Sequence, residues 1–322
     1  MADENNEDLS SNEIAPQGVG HGGRTRFSHV PVLLQEAIDF LAVRRGGTYI
    51  DATLGLAGHS YEIAKLLGPQ GHLIAFDKDT RALERARRRL SVPPPDLQDQ
   101  WPRITLLHAS FAEVGKRVPP TSLDGLLADL GTSSMQLEDA ARGFSFQAEG
   151  PLDMRMDPHG ERTADQVVNH VSEEDLANVI YEFGEERRSR RIARAIVRAR
   201  PIRSTAHLAQ VISAAAPAMK SERIHPATRT FQAIRIFVNH ELEDVTALLG
   251  SARGVLKPGG KLVVISFHSL EDRIVKDAIR EGSRGDKAWL KTLTKKPLTA
   301  SMEEVDRNPR ARSARLRAAE KV

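Results

Sequence analysis

The sequence has 322 residues, a formal net charge of +3 and a hydrophobic content of 40%, values that fit one or two soluble domains. No segment approaches the roughly 20 consecutive apolar residues that span a bilayer, so we expect no membrane segment. The chain contains no cysteine, which excludes disulfides, thiolate catalysis and thiolate-bound zinc. We therefore expect a cytoplasmic protein without a membrane partner, and we assign no metal ligands.

Residues 1–27 are predicted to form a disordered tail. They are polar and glycine-rich, and they begin without the positively charged region of a signal peptide. The following segment, residues 32–43, has apolar residues at helical spacing and is stopped by Gly46 and Gly47, so it predicts a helix.

The segment 48–67 has the pattern of a strand, a glycine turn and a helix. Strand-forming residues end at Asp51, Gly55 and Gly58 form the turn, and the residues from 61 onward have helical spacing. In such a unit the glycines let the backbone approach a ligand, and the free N–H groups of the helix start favour an anionic or carboxylate group. An ordinary strand-to-helix turn is the alternative, because a lone Gly-x-x-Gly pattern has low specificity.

Three further strands alternate with helices. The predicted strands span 72–76, 104–108 and 123–130, and the predicted helices span 80–90 and 111–117. Asp79 is a good N-cap for the first of these helices. The alternation predicts a parallel, doubly wound α/β sheet with right-handed crossovers. Ligands of such sheets bind outside the carboxyl ends of the strands, where Asp51, Asp77 and Asp129 lie.

The alternation stops after residue 141. Between 142 and 225 we predict helices only, at 164–169, 173–183, 187–200 and 205–216. The sheet is expected to resume with a helix over 230–255, a turn at 257–260, a strand over 261–267 and a helix over 270–280. The tail from Glu281 is basic and has little hydrophobic pattern, so a last strand pair within it has no predicted position.

Polar residues at two strand ends indicate the chemistry. Asp77 suits a ribose diol, because an ionised carboxylate accepts two hydrogen bonds and offers no donor. A solvated strand end is the alternative, and both NAD and S-adenosylmethionine (SAM) carry such a ribose. The fourth strand ends in Asp129-Leu-Gly-Thr-Ser-Ser-Met-Gln136, a group of hydrogen-bonding side chains that a dehydrogenase does not need. In amino methyltransferases this strand end holds the amine to be methylated.

The helical segment carries a run of arginines that suits a nucleic acid partner. They are Arg187, Arg188, Arg190, Arg191, Arg194, Arg198, Arg200 and Arg203. Several of them can follow phosphates while Ile192 and Ile196 pack inward. The alternative is a solvated helix whose charges pair with Glu185 and Glu186.

Seven motifs occur in order between His29 and Arg317. They are Asp51-Ala-Thr-Leu-Gly-Leu-Ala-Gly-His-Ser60, Phe76-Asp77, the run 129–136 given above, Gly143-Phe-Ser-Phe146, Gly150-Pro-Leu-Asp-Met-Arg-Met-Asp157, Ser266-Phe-His-Ser-Leu-Glu-Asp272 and Asn308-Pro-Arg-x-Arg-Ser-Ala314. In these motifs the sequence resembles the ribosomal RNA small subunit methyltransferase H family, also called MraW. The resemblance implies a Rossmann-like class I SAM-dependent methyltransferase sheet, residues 28–141 and 226–322, interrupted by an inserted all-helical RNA-recognition domain, residues 142–225.

The resemblance also implies an activity: SAM-dependent methylation of N4 of a cytidine in the decoding region of 16S rRNA, with the small ribosomal subunit as partner. Whether the protein is a monomer or a homodimer stays open. The chain departs from the family at one position, because Ala57 stands where the first loop usually has glycine. A methyl group there is tolerable at negative φ but is crowded in a left-handed conformation.

Roles in cofactor binding follow from the resemblance, residue by residue. Ala57, Gly58 and His59 are expected to contact SAM, Asp77 its ribose, Phe111 the adenine region, and Asp129 and Gln136 the remaining cofactor face. For Phe111 the alternative is a core phenylalanine, and for His59 it is a polar residue in the first helical turn.

For catalysis, Asp129, Ser133 and Ser134 are the candidate acceptors for a hydrogen bond from the cytosine amine, which would help to localise the nitrogen lone pair. Against this, the cofactor can occupy Asp129, and a serine pair at a strand end is commonly a helix cap. A non-catalytic ribosome-assembly factor that binds SAM is the second hypothesis. A DNA amino methyltransferase is a weaker one, since Leu130-Gly131 replaces the usual Pro-Pro-aromatic run.

Overall fold

The computed structural model describes residues 31–217 and 224–322, so the predicted tail 1–27 lies outside the described residues. Seven strands of the described chain form one sheet: β1 (Thr48–Asp51), β2 (His72–Asp77), β3 (Arg103–His108), β4 (Leu123–Asp129), β5 (Leu256–Ser266), β6 (Leu290–Thr292) and β7 (Arg315–Lys321). The order across the sheet is β3-β2-β1-β4-β5-β7-β6. Strands β1 to β5 are parallel, whereas β7 runs antiparallel to both β5 and β6. The predicted parallel α/β sheet is confirmed.

The helices of the described residues are, in chain order, α1 (Leu34–Leu41), α2 (Gly58–Leu67), α3 (Thr80–Leu90), α4 (Val114–Arg117), α5 (Ser134–Glu138), α6 (Ala164–His170), α7 (Glu173–Gly184), α8 (Ser189–Arg198), α9 (Thr205–Ala215), α10 (Ala227–Asn239), α11 (Glu241–Val255), α12 (Ser269–Gly282) and α13 (Met302–Arg307). Four short 3₁₀ helices lie at Pro95–Gln100, Phe111–Glu113, Ala140–Arg142 and Pro309–Ser313. The predicted cap is also confirmed, because the Asp79 carboxylate accepts a hydrogen bond from the backbone N–H of Arg81 at 3.0 Å.

Both faces of the sheet are covered, as β4 shows. Leu126 and Ala128 belong to the core on one face, and Leu127 between them belongs to the core on the other. The first face packs against α4, α11 and α12, and the second packs against α1 and α2. A strand buried on both faces is an almost continuous apolar run, which is why the sequence predicts it so clearly.

A second hydrophobic core lies among the helices between β4 and β5. It contains apolar residues of α6, α7, α8 and α9, so the four helices predicted for this segment are confirmed apart from small shifts at their ends. Phe231 and Ile234 of α10 pack in the same core. The assignment of residues 142–225 to a separate domain stays a prediction. Helix α10, which follows this range, packs in the same core as α6 to α9.

The predicted helix over 230–255 is wrong, because the chain turns between α10 and α11. His240 has a φ of 53°, which is left-handed and ends the helical path. The side chain of Asn239 stabilises the break, since its amide donates to the carbonyls of Met154 and Arg235, both at 2.8 Å, and accepts from the backbone N–H of Met156 at 2.6 Å. Two of these partners, Met154 and Met156, are 85 and 83 residues away in sequence. The apolar spacing of the segment 230–255 therefore does not reveal the break.

The C-terminal region holds a strand pair that the sequence does not place. β7 inserts between β5 and β6, with Leu316, Ala318 and Ala319 fully buried. The charged Arg317 interrupts the apolar residues of this strand, so the sequence does not indicate burial there. In the structure its guanidinium is paired with Asp272 of α12 at 2.6 Å. The predicted turn at 257–260 is likewise part of an extended strand, since β5 begins at Leu256 and the β4–β5 pairing shifts register there.

None of the helices in residues 31–217 and 224–322 is long and apolar enough to cross a membrane.

Replacing Leu316 by alanine should lower the free energy of unfolding by about 2–4 kcal/mol, because the side chain is fully buried and its truncation leaves a cavity in the core that also contains α1 and α2. Met302→Ala is the control, since that side chain is 78% exposed. Urea denaturation followed by circular dichroism measures both variants. Equal free energies of unfolding for the Leu316→Ala and Met302→Ala variants would contradict the position of β7 between β5 and β6.

Candidate active site

The carboxyl ends of the parallel strands border a cavity of about 310 Å³. Asp77 and Asp129, which end β2 and β4, line this cavity. Asp51, which ends β1, is buried behind it, where the hydroxyl of Ser60 donates to its carboxylate at 2.7 Å and the N–H of Thr53 at 3.1 Å. The structure therefore brings the three predicted strand-end carboxylates to one edge.

Asp77 has free acceptor capacity. The backbone N–H of Gly55 donates to one oxygen and that of Asp79 to the other, both at 2.8 Å. Each carboxylate oxygen can accept a further hydrogen bond. Burial, together with the charges of Asp79 and Asp51, raises the pKa of Asp77 to about 6 against the opposing effect of the two N–H donors. The group is thus ionised near neutral pH and prepared to receive a pair of hydroxyl donors.

The glycine turn leads into α2 beneath the cavity. Gly58 lies so close to Pro31 that a Cβ there would come within 2.3 Å of the proline Cγ. Ala57 has a φ of 57°, so the one departure from the family pattern occupies the left-handed conformation that its methyl group disfavours. Its side chain is fully buried against Leu54 and Leu83. Of the three residues predicted to contact the cofactor here, Gly58 and His59 line the cavity, whereas Ala57 packs away from it.

His59 is neutral in this environment. Burial lowers its pKa to about 4, and its Nε2 lies 3.1 Å from the carbonyl of Val32, to which it donates a hydrogen bond. This bond assigns the remaining lone pair to Nδ1, which lies 3.6 Å from the nearer oxygen of Asp129. His59 therefore supplies no hydrogen bond to that carboxylate.

Asp129 keeps one oxygen without a partner. Its Oδ1 is buried and has no hydrogen bond among the described residues. Burial and then the charge of Asp51 raise its pKa well above the ordinary value, while the charge of Arg310 acts in the opposite sense. A buried polar atom without a partner is costly, so a ligand donor is the natural complement to Oδ1.

The residues after Asp129 form the capped start of α5. The hydroxyl of Ser133 accepts from the N–H of Gln136 at 3.3 Å, and the Gln136 side chain accepts in return from the N–H of Ser133 at 3.0 Å. The Gln136 amide also donates to Asp79 at 3.1 Å. Ser133 and Gln136 line the cavity, and the Ser134 hydroxyl is buried without a partner in the described chain. The alternative of a helix cap thus applies to Ser133.

Phe111 opens the 3₁₀ helix after β3 and lines the cavity near Asp77. It is partly buried against the core that covers this face of the sheet. One part of its ring is therefore held by packing, and the rest is presented to the cavity, as an adenine wall requires.

Several residues of the wall have no role assigned from the sequence. Arg310, in the C-terminal motif, donates to the carbonyl of Thr132 at 2.9 Å and lines the cavity. Phe267 and Glu271 line it from the end of β5 and the start of α12. These residues belong to the motifs 266–272 and 308–314, so the family resemblance already points to these segments. The spacing within the motifs does not show which side chains face the cavity.

Glu241, His268 and Glu271 place one potential metal-ligand atom each within 4.8 Å of one another. Arg235 already binds both oxygens of Glu241, at 2.8 and 2.7 Å. The Nδ1 atom of His268 accepts from the N–H of Glu271, so Nε2 carries the hydrogen and has no lone pair for a metal. We interpret the group as a buried ion-pair network.

A model of the MraW methylase family matches residues 26–322. The chain belongs to this family. It is 71% identical over 312 residues to the ribosomal RNA small subunit methyltransferase H of Koribacter versatilis, with 96% of this chain and 98% of the relative covered. The enzyme of the same name from Acidobacterium capsulatum is 66% identical over 296 residues, with 92% and 99% covered. The resemblance deduced from the motifs is thereby confirmed.

Among solved structures, an rRNA methylase from Streptococcus thermophilus is similar with a TM-score of 0.39 and 14% identity, covering 91% of this chain and 99% of that one. As a member of this family the protein is a SAM-dependent methyltransferase, and its sheet has the class I, Rossmann-like arrangement described above.

The cavity suits SAM. Asp77 has acceptor sites for a ribose diol, Phe111 offers an apolar wall for a purine, and Gly58 lines the cavity at the start of α2, where backbone can approach a ligand. Asp129, with its partnerless oxygen, lines the same cavity. We propose that Asp77, Phe111 and Gly58 hold the cofactor, and that Asp129 lies beside the group that is transferred.

Asp77→Ala should weaken SAM binding, because it removes two charge-assisted hydrogen bonds worth about 1.5–3 kcal/mol each. Asp99→Ala, at an exposed position of the 3₁₀ helix Pro95–Gln100, is the matched control and should leave the affinity unchanged. Calorimetric titration measures both variants. Unchanged affinity in a folded Asp77→Ala protein would refute the ribose assignment.

Proposed function

We propose that this protein transfers the methyl group of SAM to N4 of a cytidine in the decoding region of 16S rRNA. Two lines support the rRNA substrate: the relatives named ribosomal RNA small subunit methyltransferase H cover nearly the whole chain, and the helical segment presents exposed arginines. The observation that carries the choice of an amine is the buried oxygen of Asp129, which has no partner within the described chain. The proposed partner is the small ribosomal subunit, and the proposed location is the cytoplasm.

SAM supplies an already activated methyl group, so the task of the protein is mainly alignment of the amine. Asp129 Oδ1 is placed to accept a hydrogen bond from the cytosine N4–H, which helps to localise a lone pair that is otherwise delocalised into the ring. The raised pKa of Asp129 makes its carboxylate a stronger base than an ordinary one, so it can also take the proton that the amine loses.

Arg310 limits this effect. Its charge opposes the rise in the pKa of Asp129, and its hydrogen bond to the Thr132 carbonyl fixes the backbone that follows. The C-terminal motif thus places a positive charge near Asp129, which favours the ionised form of the carboxylate. Ser133 and Ser134 stay candidates for the amine contact, but the Ser133 hydroxyl already caps α5.

The proposed reaction is tested by incubating the protein with methyl-labelled SAM and small subunits that lack the modification. Hydrolysis of the RNA and mass analysis of nucleosides should give N4-methylcytidine. Label on another base, or on another atom of cytosine, would contradict the proposal. SAM binding without transfer would favour the assembly-factor hypothesis.

Asp129→Asn should bind SAM with similar affinity and lose turnover by roughly 10- to 1,000-fold, because it removes a contact made mainly in the transition state. The Ser133→Ala, Ser134→Ala double variant is the comparison and should lose less. Single-turnover methylation at saturating SAM separates the two. A larger loss in the serine variant would transfer the role to the serines, and loss of SAM affinity in Asp129→Asn would make Asp129 a cofactor residue.

The arginine stretch presents one charged face. In α8, Ile192 and Ile196 are buried in the helical core, whereas Arg190, Arg194 and Arg198 are exposed. Arg194 pairs with Glu173 at 3.3 Å, at an exposed site where such a pair contributes little. Arg200 differs, since it donates to backbone carbonyls at the end of α6 and just beyond it. We propose that the exposed arginines of α8 contact phosphates and that Arg200 is structural.

Replacing Arg190, Arg194 and Arg198 by alanine should weaken RNA binding and flatten its salt dependence by about 0.7 in logarithmic slope per lost phosphate contact. A triple alanine variant of the exposed Arg85, Arg87 and Arg88 in α3 has the same change in charge and should keep the slope. Filter binding across a salt series measures both. An equal slope for the α8 variant and the wild type would assign that stretch to structure.

A further inference from the structure

Two phenylalanines line the cavity among the described residues, and they follow different strands of the sheet. Phe111 follows β3, and Phe267 follows β5. The intervening strands are β2, β1 and β4, so the strands that these two residues follow are four strand spacings apart, roughly 15–20 Å. The two rings therefore enter the cavity from strand ends that are well separated in the sheet, and Asp77 and Asp129 end two of the strands between β3 and β5.

Phe267 lies beside the residues that follow Asp129. β4 and β5 are paired in register with Asp129 opposite Ile265, and the N–H of Leu130 donates to the Ile265 carbonyl at 2.9 Å. A Cβ on Gly131 would lie 3.3 Å from the Phe267 ring. The ring thus covers the backbone of Gly131, two residues beyond the carboxylate whose Oδ1 has no partner.

The position of Phe267 is fixed from behind. Its backbone N–H donates to Glu271 at 2.8 Å, and the same oxygen accepts from the N–H of His268 at 3.3 Å. Glu271 is buried, and although burial raises its pKa, the contact with His268 and the charge of Arg235 lower it further, so that it stays ionised. A buried anion holding two consecutive N–H groups leaves the strand end little freedom.

An exocyclic amine reaches this carboxylate only if its base leaves the RNA stack and enters the cavity. Enzymes that act on a base hold the extruded ring by stacking it on an aromatic or apolar side chain and by hydrogen bonds to its edge. Phe267 supplies a partly buried ring, and Asp129 supplies an acceptor in the same part of the cavity. Phe111 suits this role less, because it follows β3, which is separated from Asp129 on β4 by two strands, whereas Phe267 follows β5, the direct neighbour of β4.

We propose that Phe267 is the residue on which the target cytosine stacks, and that Phe111 serves the adenine of the cofactor alone. This inference rests on the proposed function, because it assumes a base as the methyl acceptor. Glu271 acts through Phe267 as a positioning residue and does not touch the substrate.

The first test is ultraviolet cross-linking of the protein to small-subunit RNA, followed by peptide mapping, which requires no turnover. A base stacked on an aromatic ring should give a cross-link at Phe267. Phe267→Leu keeps an apolar side chain and should remove this cross-link, whereas Phe111→Leu should retain it. Cross-links to the target cytidine that map elsewhere and persist in Phe267→Leu would overturn the proposal.

The second test is kinetic. Phe267→Leu should lower kcat/KM for the RNA by about 5- to 150-fold, the range for loss of one base–aromatic stack, with unchanged SAM affinity. Phe267→Tyr keeps the ring and should recover most of the loss. Phe111→Leu should show the opposite pattern, with weaker SAM binding and a smaller effect on RNA at saturating SAM. Full kcat/KM in Phe267→Leu would overturn the inference alone, whereas a wild-type protein that modifies no cytidine would refute the proposed function and the inference with it.

Discussion

The site depends on carboxylates that the fold removes from water at the carboxyl edge of the sheet. Burial raises the pKa of Asp51, Asp77 and Asp129 because it penalises their charged forms. Asp51 does not line the cavity and accepts hydrogen bonds from Ser60 and Thr53. The other two face the cavity with unused acceptor capacity. A ligand that brings hydroxyl and amine donors relieves a cost that the folded chain already bears.

Elements far apart in sequence meet at this edge. The break at His240 directs Arg235 of α10 and Glu241 of α11 to the cavity, and the C-terminal motif contributes Arg310. β7 pairs with β5, and its Arg317 forms an ion pair with Asp272 of α12. Because α12 begins just after Phe267, this pair also helps to fix the end of β5. The sheet and the C-terminal motif thus build the wall of the cavity, and the helical segment presents the arginines that we propose for RNA contact.

The sequence predicts most of the sheet and the position of its ligand edge, because strands buried on both faces are apolar runs and three strands, β1, β2 and β4, end in carboxylates. It does not predict the break at His240, which depends on the contacts of Asn239 with Met154 and Met156. It also does not predict β7, whose Arg315 and Arg317 are paired with Asp272 of helix α12. The sequence does not predict that Phe267 and Arg310 line the cavity, since spacing along the chain does not show which side chains face it.

Proton release on SAM binding tests the central claim most directly. Donors and positive charge from a ligand favour the ionised carboxylate, so binding should lower the pKa of Asp77 from about 6 and expel protons. Calorimetry at pH 6 in buffers of different ionisation enthalpy gives the number released. Because Asp77 is about half protonated in the free protein at that pH, the wild type should release about half a proton more than Asp77→Asn. The difference should vanish at pH 8, where Asp77 is already ionised. Equal release by both proteins at pH 6, or proton uptake by the wild type, would contradict the account.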